Sequence, residues 1–183
     1  RAQDGLARLS RILTRMTEAA RLEQSLSDTD RVRFDVVPVV AGCVEGFRLV
    51  YPAARISLSV PNEAATVEGA PDLVAQMLDK LLANAVEFAA GGAIDVVLAI
   101  GDGTARLSVA NDGPPLPQGT AGRLFESMVS VRKGAGADER GEPHLGLGLY
   151  IVRAIAQFHG GTARAADKPG GTGVVVTVTL PLA

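Results

Sequence analysis

The chain has 183 residues, enough for one medium domain with a helical extension. Hydrophobic residues make up 47% but aromatics only 4%, so the core must be built from Val, Leu, Ile and Ala. Eighteen basic and 20 acidic residues leave a formal charge of −2 with no block of like charge, which argues against a nucleic-acid partner. The single cysteine, Cys43, cannot make an internal disulfide and sits among apolar neighbours as a structural thiol. No apolar run approaches the roughly 18 residues of a membrane span and no signal peptide opens the chain, so a soluble piece is expected. It starts at Arg1 without a methionine, and a fragment of something longer is expected.

Residues 1–26 are polar apart from a narrow stripe of Leu6, Leu9, Leu13, Met16 and Ala20, spaced three and four apart. That is heptad spacing, the pattern of a helix in a bundle or coiled coil whose partners lie elsewhere; the alternative is a helix folded back on its own domain. Ser27 to Asp30 is turn chemistry and marks a boundary. Val32, Phe34 and Val36 then alternate as a short strand, and a helix runs from about Val37 to Leu49 before Tyr51-Pro52. Ile56 to Val60 and Ala65 to Glu68 read as two more strands around a Pro61-Asn62 turn.

A strongly periodic helix follows, from about Asp72 to Ala89, with Leu73, Met77, Leu81, Ala85 and Phe88 on one face. Lys80, Asn84 and Glu87 share a stripe along its edge, because residues three and four apart are neighbours on a helix surface. A polar group at the edge of an apolar face needs a partner or a ligand; a water-bonded or capped Asn84 is the plain explanation, a ligand the sharper one. Gly91-Gly92 ends the helix. Ile94 to Ile100 and Ala105 to Ala110 form a hairpin about Gly101-Asp102-Gly103. The second strand runs into NDGPPLP, Asn111 to Pro117, where a polar side chain at the end of a buried strand can face the edge of a ligand base.

From Gln118 to Pro143 there is one apolar cluster, Leu124 to Val129, and then a polar, glycine-rich run with almost nothing to bury, a pattern that suits a lid. It leads into HLGLGLYIV, His144 to Val152, in which Gly146 and Gly148 alternate with leucines before Tyr150, Ile151, Ile155 and Phe158 take up helical spacing. A glycine turn opening a helix offers unpaired N–H groups and the positive end of the helix dipole to a phosphate; a tight corner with no ligand is the bland alternative. Thr162 to Ala166 and Val174 to Leu180 are the last strands, turned by GGTG at Gly170 to Gly173.

Taken in order, the helix with NAVEF, the strand ending in NDGPPLP, the segment containing LFESM, the GLGLYIV helix and the terminal GTGVVVTVTLP resemble the ATP-binding domain of bacterial sensor histidine kinases. That group lies within the larger one of type II topoisomerase, mismatch-repair and heat-shock chaperone ATPases. The likeness spans about Val32 to Pro181, and LDKLLANAVEFA with GPPLP and SMVSVR looks closest to the proteobacterial kinases of dedicated sortase systems. The resemblance implies an α/β fold of Bergerat type: a two-layer sandwich of a mixed, mostly antiparallel sheet on about three helices, preceded by one long helix. Residues 1–28 would be the second helix of a dimerisation and phosphotransfer hairpin, and 29–183 the ATP-binding catalytic domain with a lid at about 115–145. The phosphoacceptor histidine would lie on the hairpin's absent first helix, since the chain has only His144 and His159, the latter structural.

By resemblance, ATP and Mg²⁺ are the expected ligands. Asn84 matches the asparagine that holds Mg²⁺ against the triphosphate, its carboxamide oxygen being a suitable hard ligand, and Phe88 the aromatic beside the nucleotide. Asn111 stands where most members have the aspartate that accepts from the adenine amino group; a neutral acceptor should weaken binding by ~1 kcal/mol. Gly113 allows close approach to the base. Gly146, Leu147, Gly148 and Leu149 should cradle the phosphates, with Arg132 or Lys133 reaching them from the lid. The chain departs from the pattern at Lys80, which stands at the usual first asparagine of the helix motif, and at Glu87, which replaces a basic residue and either repels phosphate or pairs with Lys80. Pro115 and His144 each replace a glycine at an end of the lid, and Val174 to Val176 lack the small hydroxyl often near the adenine.

The implied function is phosphoryl transfer from ATP to a histidine on the hairpin and on to a response-regulator aspartate. The parent would be a homodimer, this piece being the cytoplasmic part of a bacterial inner-membrane sensor. A degenerate nucleotide-binding or dimerisation module without turnover is the alternative suggested by Lys80, Glu87 and Asn111. An ATPase of the chaperone or mismatch-repair type would need a glutamate where Lys80 stands, and Asp79 lies about 100° round the helix from it.

Overall fold

The computed structural model describes residues 17, 20–89, 91–116, 118–119, 121–126 and 147–183. Residues 20–27 are helical (α1). They are followed by β1 (Val32–Asp35), α2 (Val36–Val50), β2 (Arg55–Ser59), β3 (Thr66–Gly69), α3 (Pro71–Phe88), β4 (Ala93–Gly101), β5 (Thr104–Asn111), α4 (Gly148–Phe158), β6 (Thr162–Asp167) and β7 (Val174–Pro181). Five strands form one sheet in the order β2-β4-β5-β7-β6, and β1 and β3 form a separate antiparallel pair. In the main sheet β2 runs parallel to β4 while every other pairing is antiparallel, the mixed, mostly antiparallel sheet that the resemblance implied.

Strand alternation decides which side chains meet the helices. On β4 the buried set is Ile94, Val96 and Leu98; on β5 it is Ala105, Leu107 and Val109; on β7 it is Val176, Val178 and Leu180. Against this face lie Val40, Val44 and Phe47 of α2, the seven-residue apolar stripe of α3 from Leu73 to Ala85, and Val152, Ile155 and Ala156 of α4. Each fully buried Leu or Ile in this layer contributes about 1.5–3 kcal/mol relative to an exposed one. The opposite face of the sheet is more open, as Val97 at 40% exposure shows. Two layers thus suffice to bury the apolar surface. The period of two carries one step further along β5 and puts Asn111 on the helix side, buried, between Ile94 of β4 and Val174 of β7.

One local detail differs from the sequence reading. Val36 alternates with Val32 and Phe34, yet it opens α2 and is buried there. The cause is Asp35, whose Oδ1 accepts from the amides of Val37 and Ala65, each at 3.0 Å, capping the helix and tying it to the residue before β3. In α1 the heptad position Ala20 is exposed, whereas Leu22 is buried in the domain's core and Leu26 packs against it. The described turns therefore rest on their own domain, and Leu6, Leu9, Leu13 and Met16 lie outside the described residues.

His159 is structural, as expected. The Ala70 amide donates to Nε2 at 3.0 Å, so the proton resides on Nδ1, which donates to the Ile155 carbonyl at 2.8 Å. Burial pushes its pKa below the ordinary value, and Phe34 and Phe158 meet the ring edge-on. One neutral imidazole thereby joins the C-terminal end of α4 to the start of α3.

Candidate functional site

Helix α3 supplies the first wall. Pro71 at its start costs no hydrogen bond, and Asp72 suits the positive end of the dipole. Near the other end Asn84 is half-buried, and among the described residues its carboxamide makes no hydrogen bond. One turn back, Lys80 pairs with Asp79 at 3.5 Å; both are partly exposed, so the pair adds little stability. Asp79 is therefore a carboxylate partner that the sequence reading had not assigned to Lys80. Glu87 is half-buried and engaged in its own right. Phe88, the last residue of α3, is 39% exposed although its neighbours on the apolar face are covered.

The end of β5 supplies the second wall. Asn111 is 7% exposed; its Nδ2 donates to the Asp112 carbonyl at 2.9 Å, while its Oδ1 accepts nothing among the described residues. A buried carboxamide oxygen without a donor costs about 1–3 kcal/mol, a cost that a ligand N–H would remove. Two residues on, Gly113 has φ of +144°, and a Cβ there would overlap the carbonyl oxygen of Phe88. Only glycine lets the strand exit lie so close to the end of α3, and this contact brings Asn111 and Phe88 to the same corner.

Asp112, Asp167 and Lys168 have no role in the sequence reading, and Gly173 enters it only in the GGTG turn. Asp112 Oδ2 accepts from the Ala93 amide at 3.1 Å and Oδ1 from Lys168 Nζ at 2.7 Å. The Lys168 hydrogen bond, helped by the Ala93 amide, holds the Asp112 carboxyl below the usual carboxylate range. The one available clue was an acidic residue directly after Asn111 at the end of a buried strand, and it names no partner.

The third wall is the start of α4. Leu147 precedes the helix with no side-chain cap, so among the described residues the first amides of α4 have no side-chain acceptor. Leu147 is buried and Leu149 packs on the core, so both can offer a ligand only their backbone. Gly148 is different. A Cβ there would meet nothing within 4 Å, so packing does not demand glycine at this position. Helices α3 and α4 pack on each other, which puts this terminus on the layer that carries Asn84. Gly146, His144, Arg132 and Lys133 lie outside the described residues. Two clefts of about 410 and 460 Å³ lie between α2 and α3 and between α1 and α4; the first reaches Asp79, and neither is lined by Asn84, Phe88, Asn111, Gly113 or Gly148.

The profile of the family described as histidine kinase-, DNA gyrase B-, and HSP90-like ATPase matches residues 69–183, well over half of the chain. The chain belongs to this family. Among the relatives of this ATPase-family chain, the sensor protein CutS of Streptomyces coelicolor is 32% identical over 155 residues, covering 84% of this chain and 36% of the relative. The sensor-type histidine kinase PrrB of Mycobacterium tuberculosis is 32% identical over 178 residues, 96% of this chain and 38% of the relative. The chain thus spans a little over a third of these sensor proteins. Full-length ShkA, solved in complex with AMPPNP, superposes with a TM-score of 0.73 at 24% identity over 99% of this chain and 37% of that one, a likeness of fold.

In this ATPase-family domain no three His, Cys, Asp or Glu side chains gather as a metal site among the described residues. Among the described residues no helix is long and apolar enough to cross a membrane. Cys43 is half-buried and free, and burial, with Asp79 nearby, raises its thiol pKa. It remains a protonated packing group.

Proposed function

We propose that this chain is the ATP-binding catalytic region of a two-component sensor histidine kinase, which donates the γ-phosphoryl group of ATP to a histidine on its own dimerisation hairpin for relay to a response-regulator aspartate. The observation that carries the reading is the buried Oδ1 of Asn111, which accepts nothing among the described residues, in the corner formed with Phe88 and Gly113. An acceptor fixed at the edge of a pocket suits the adenine amino group. The relative named as the sensor-type histidine kinase PrrB supports the same activity, and the sensor protein CutS the same sensory role.

Each remaining wall has a role in this scheme. The amides of Gly148 and the residues after it would receive phosphate oxygens at the helix terminus, with Gly146 completing the turn. Asn84 would hold Mg²⁺ through its carboxamide oxygen, and the ion would neutralise charge on the phosphate oxygens. Arg132 and Lys133 would add cations from the lid, with Lys80 as a third. Phosphoryl transfer asks chiefly for position and charge compensation, and these groups supply both. The partners are a second protomer and a response regulator, and the parent would carry this domain on the cytoplasmic side of the bacterial inner membrane.

Calorimetric titration with a non-hydrolysable ATP analogue, with and without Mg²⁺, tests the reading. Binding in the micromolar to sub-millimolar range is expected, and Asn84→Ala should abolish its dependence on magnesium. A folded sample that binds no analogue at millimolar concentration would overturn the reading and favour a domain that has lost its nucleotide.

A further inference from the structure

We infer that Asp167 and Lys168, the consecutive residues where β6 ends, are positioning residues of the nucleotide site: together they grip the strand exit from Asn111 to Leu116 at two points and so set the orientation of the Asn111 carboxamide. The inference rests on the nucleotide reading above. The segment NDGPPL contains two prolines, which have no N–H to give, so it has few ways of being tied down. The ties it has are specific. The Asp112 amide donates to the Ala93 carbonyl at 3.0 Å, and the Asp112 carboxylate takes the Ala93 amide on one oxygen and Lys168 Nζ, at 2.7 Å, on the other. Four residues on, the Leu116 amide donates to Asp167 Oδ1, also at 2.7 Å.

Lys168 is well placed for such work. Its side chain is 22% exposed, and its ammonium also lies 4.0 Å from Asp95 Oδ2, so one cation stands between two carboxylates. Gly173 has φ of +135°, and a Cβ there would overlap the Asn111 carbonyl oxygen and sit 2.9 Å from Lys168 Cδ. The glycine turn therefore packs flush against both the strand exit and the lysine stem. Among the described residues the one anchor of the Asn111 carboxamide is its Nδ2 bond to the Asp112 carbonyl. Lys168 thus acts on the base-facing oxygen in a chain: ammonium to Asp112 carboxylate, Asp112 peptide to Asn111 Nδ2, and Nδ2 to the direction of Oδ1.

The test compares Lys168→Met and Lys168→Arg with the unaltered chain, by calorimetric titration with the ATP analogue well below the melting temperature. Lost stability alone leaves the affinity of a folded sample unchanged, so a shift in Kd reports position. Lys168→Met is expected to weaken binding about tenfold, the scale of a lost charge-assisted hydrogen bond, and Lys168→Arg to remain within about twofold of the original. Folded Lys168→Met with the original affinity, or Lys168→Arg as weak as Lys168→Met, would overturn the inference. If Lys168→Met does not fold, Asp167→Ala decides: the residue is exposed, and loss of its Leu116 contact should weaken binding about threefold. An unchanged Kd there overturns the inference while leaving the nucleotide site standing, whereas an unaltered chain that binds no analogue removes both.

Discussion

Replacing Gly113 by alanine tests the corner on which the site is built. The new Cβ would lie well under 3.0 Å from the Phe88 carbonyl oxygen, and φ of +144° is a conformation that alanine adopts only under strain. Backbone strain of this kind costs about 1–3 kcal/mol, and moving the strand exit off the end of α3 forfeits packing in addition, so a total of about 2–4 kcal/mol is expected. At this chain length each kcal/mol lowers Tm by about 2–4 °C, giving a fall of roughly 4–16 °C. The assay is thermal unfolding followed by circular dichroism, with Gly101→Ala as control, because a Cβ at Gly101 meets nothing within 4 Å and its φ is ordinary. Gly101→Ala should change stability by no more than about 0.5 kcal/mol. Gly113→Ala melting within about 2 °C of the original chain would refute the reasoning and show that the exit can part from α3 at little cost.

Gly148→Ala should leave stability unchanged or raise it by up to about 1 kcal/mol, since the site is open and alanine favours a helix, yet weaken the ATP analogue about tenfold or more by putting a methyl group where phosphate approaches; calorimetry and a melt on the same sample separate the two effects. Asp35→Ala removes the cap of α2 and the partner of the Ala65 amide together, and urea unfolding should show a loss of about 2 kcal/mol. His159 predicts a pH dependence. Its folded pKa is depressed by burial, so the unfolded chain binds the proton more readily; the contribution is fully present above the unfolded value near 6.5 and is lost as pH falls from there through the folded pKa. Urea midpoints between pH 8 and pH 5 should therefore fall on the acid side by an amount that His159→Gln reduces, and equal slopes for the two proteins would contradict the neutral-imidazole account.

Much of the architecture was legible along the chain because it depends on short-range periodicity. The stripe from Leu73 to Ala85 defines α3, and alternation in Ala105 to Val109 defines β5 and predicts which face its end will present. Asn84 and Asn111 stand out in the sequence for a related reason: each is a break in an apolar pattern, visible wherever the pattern is strong, whereas Phe88 continues its pattern and is marked only by the family resemblance. Val36 was misplaced because period-two spacing continues through it, while the Asp35 cap that turns the chain depends on the Ala65 amide, thirty residues further on. Asp112 and Lys168 are fifty-six residues apart and Leu116 and Asp167 fifty-one; no local pattern encodes such pairs, since they exist only once β7 has paired with β5. The fate of the Asn111 carboxamide was likewise settled in three dimensions. Sequence placed a polar residue at the end of a buried strand; in the fold its Nδ2 donates to the next carbonyl and its Oδ1 accepts nothing among the described residues. Periodicity thus determined the elements and their inner faces, while the mutual placement of side chains distant in sequence decided the site.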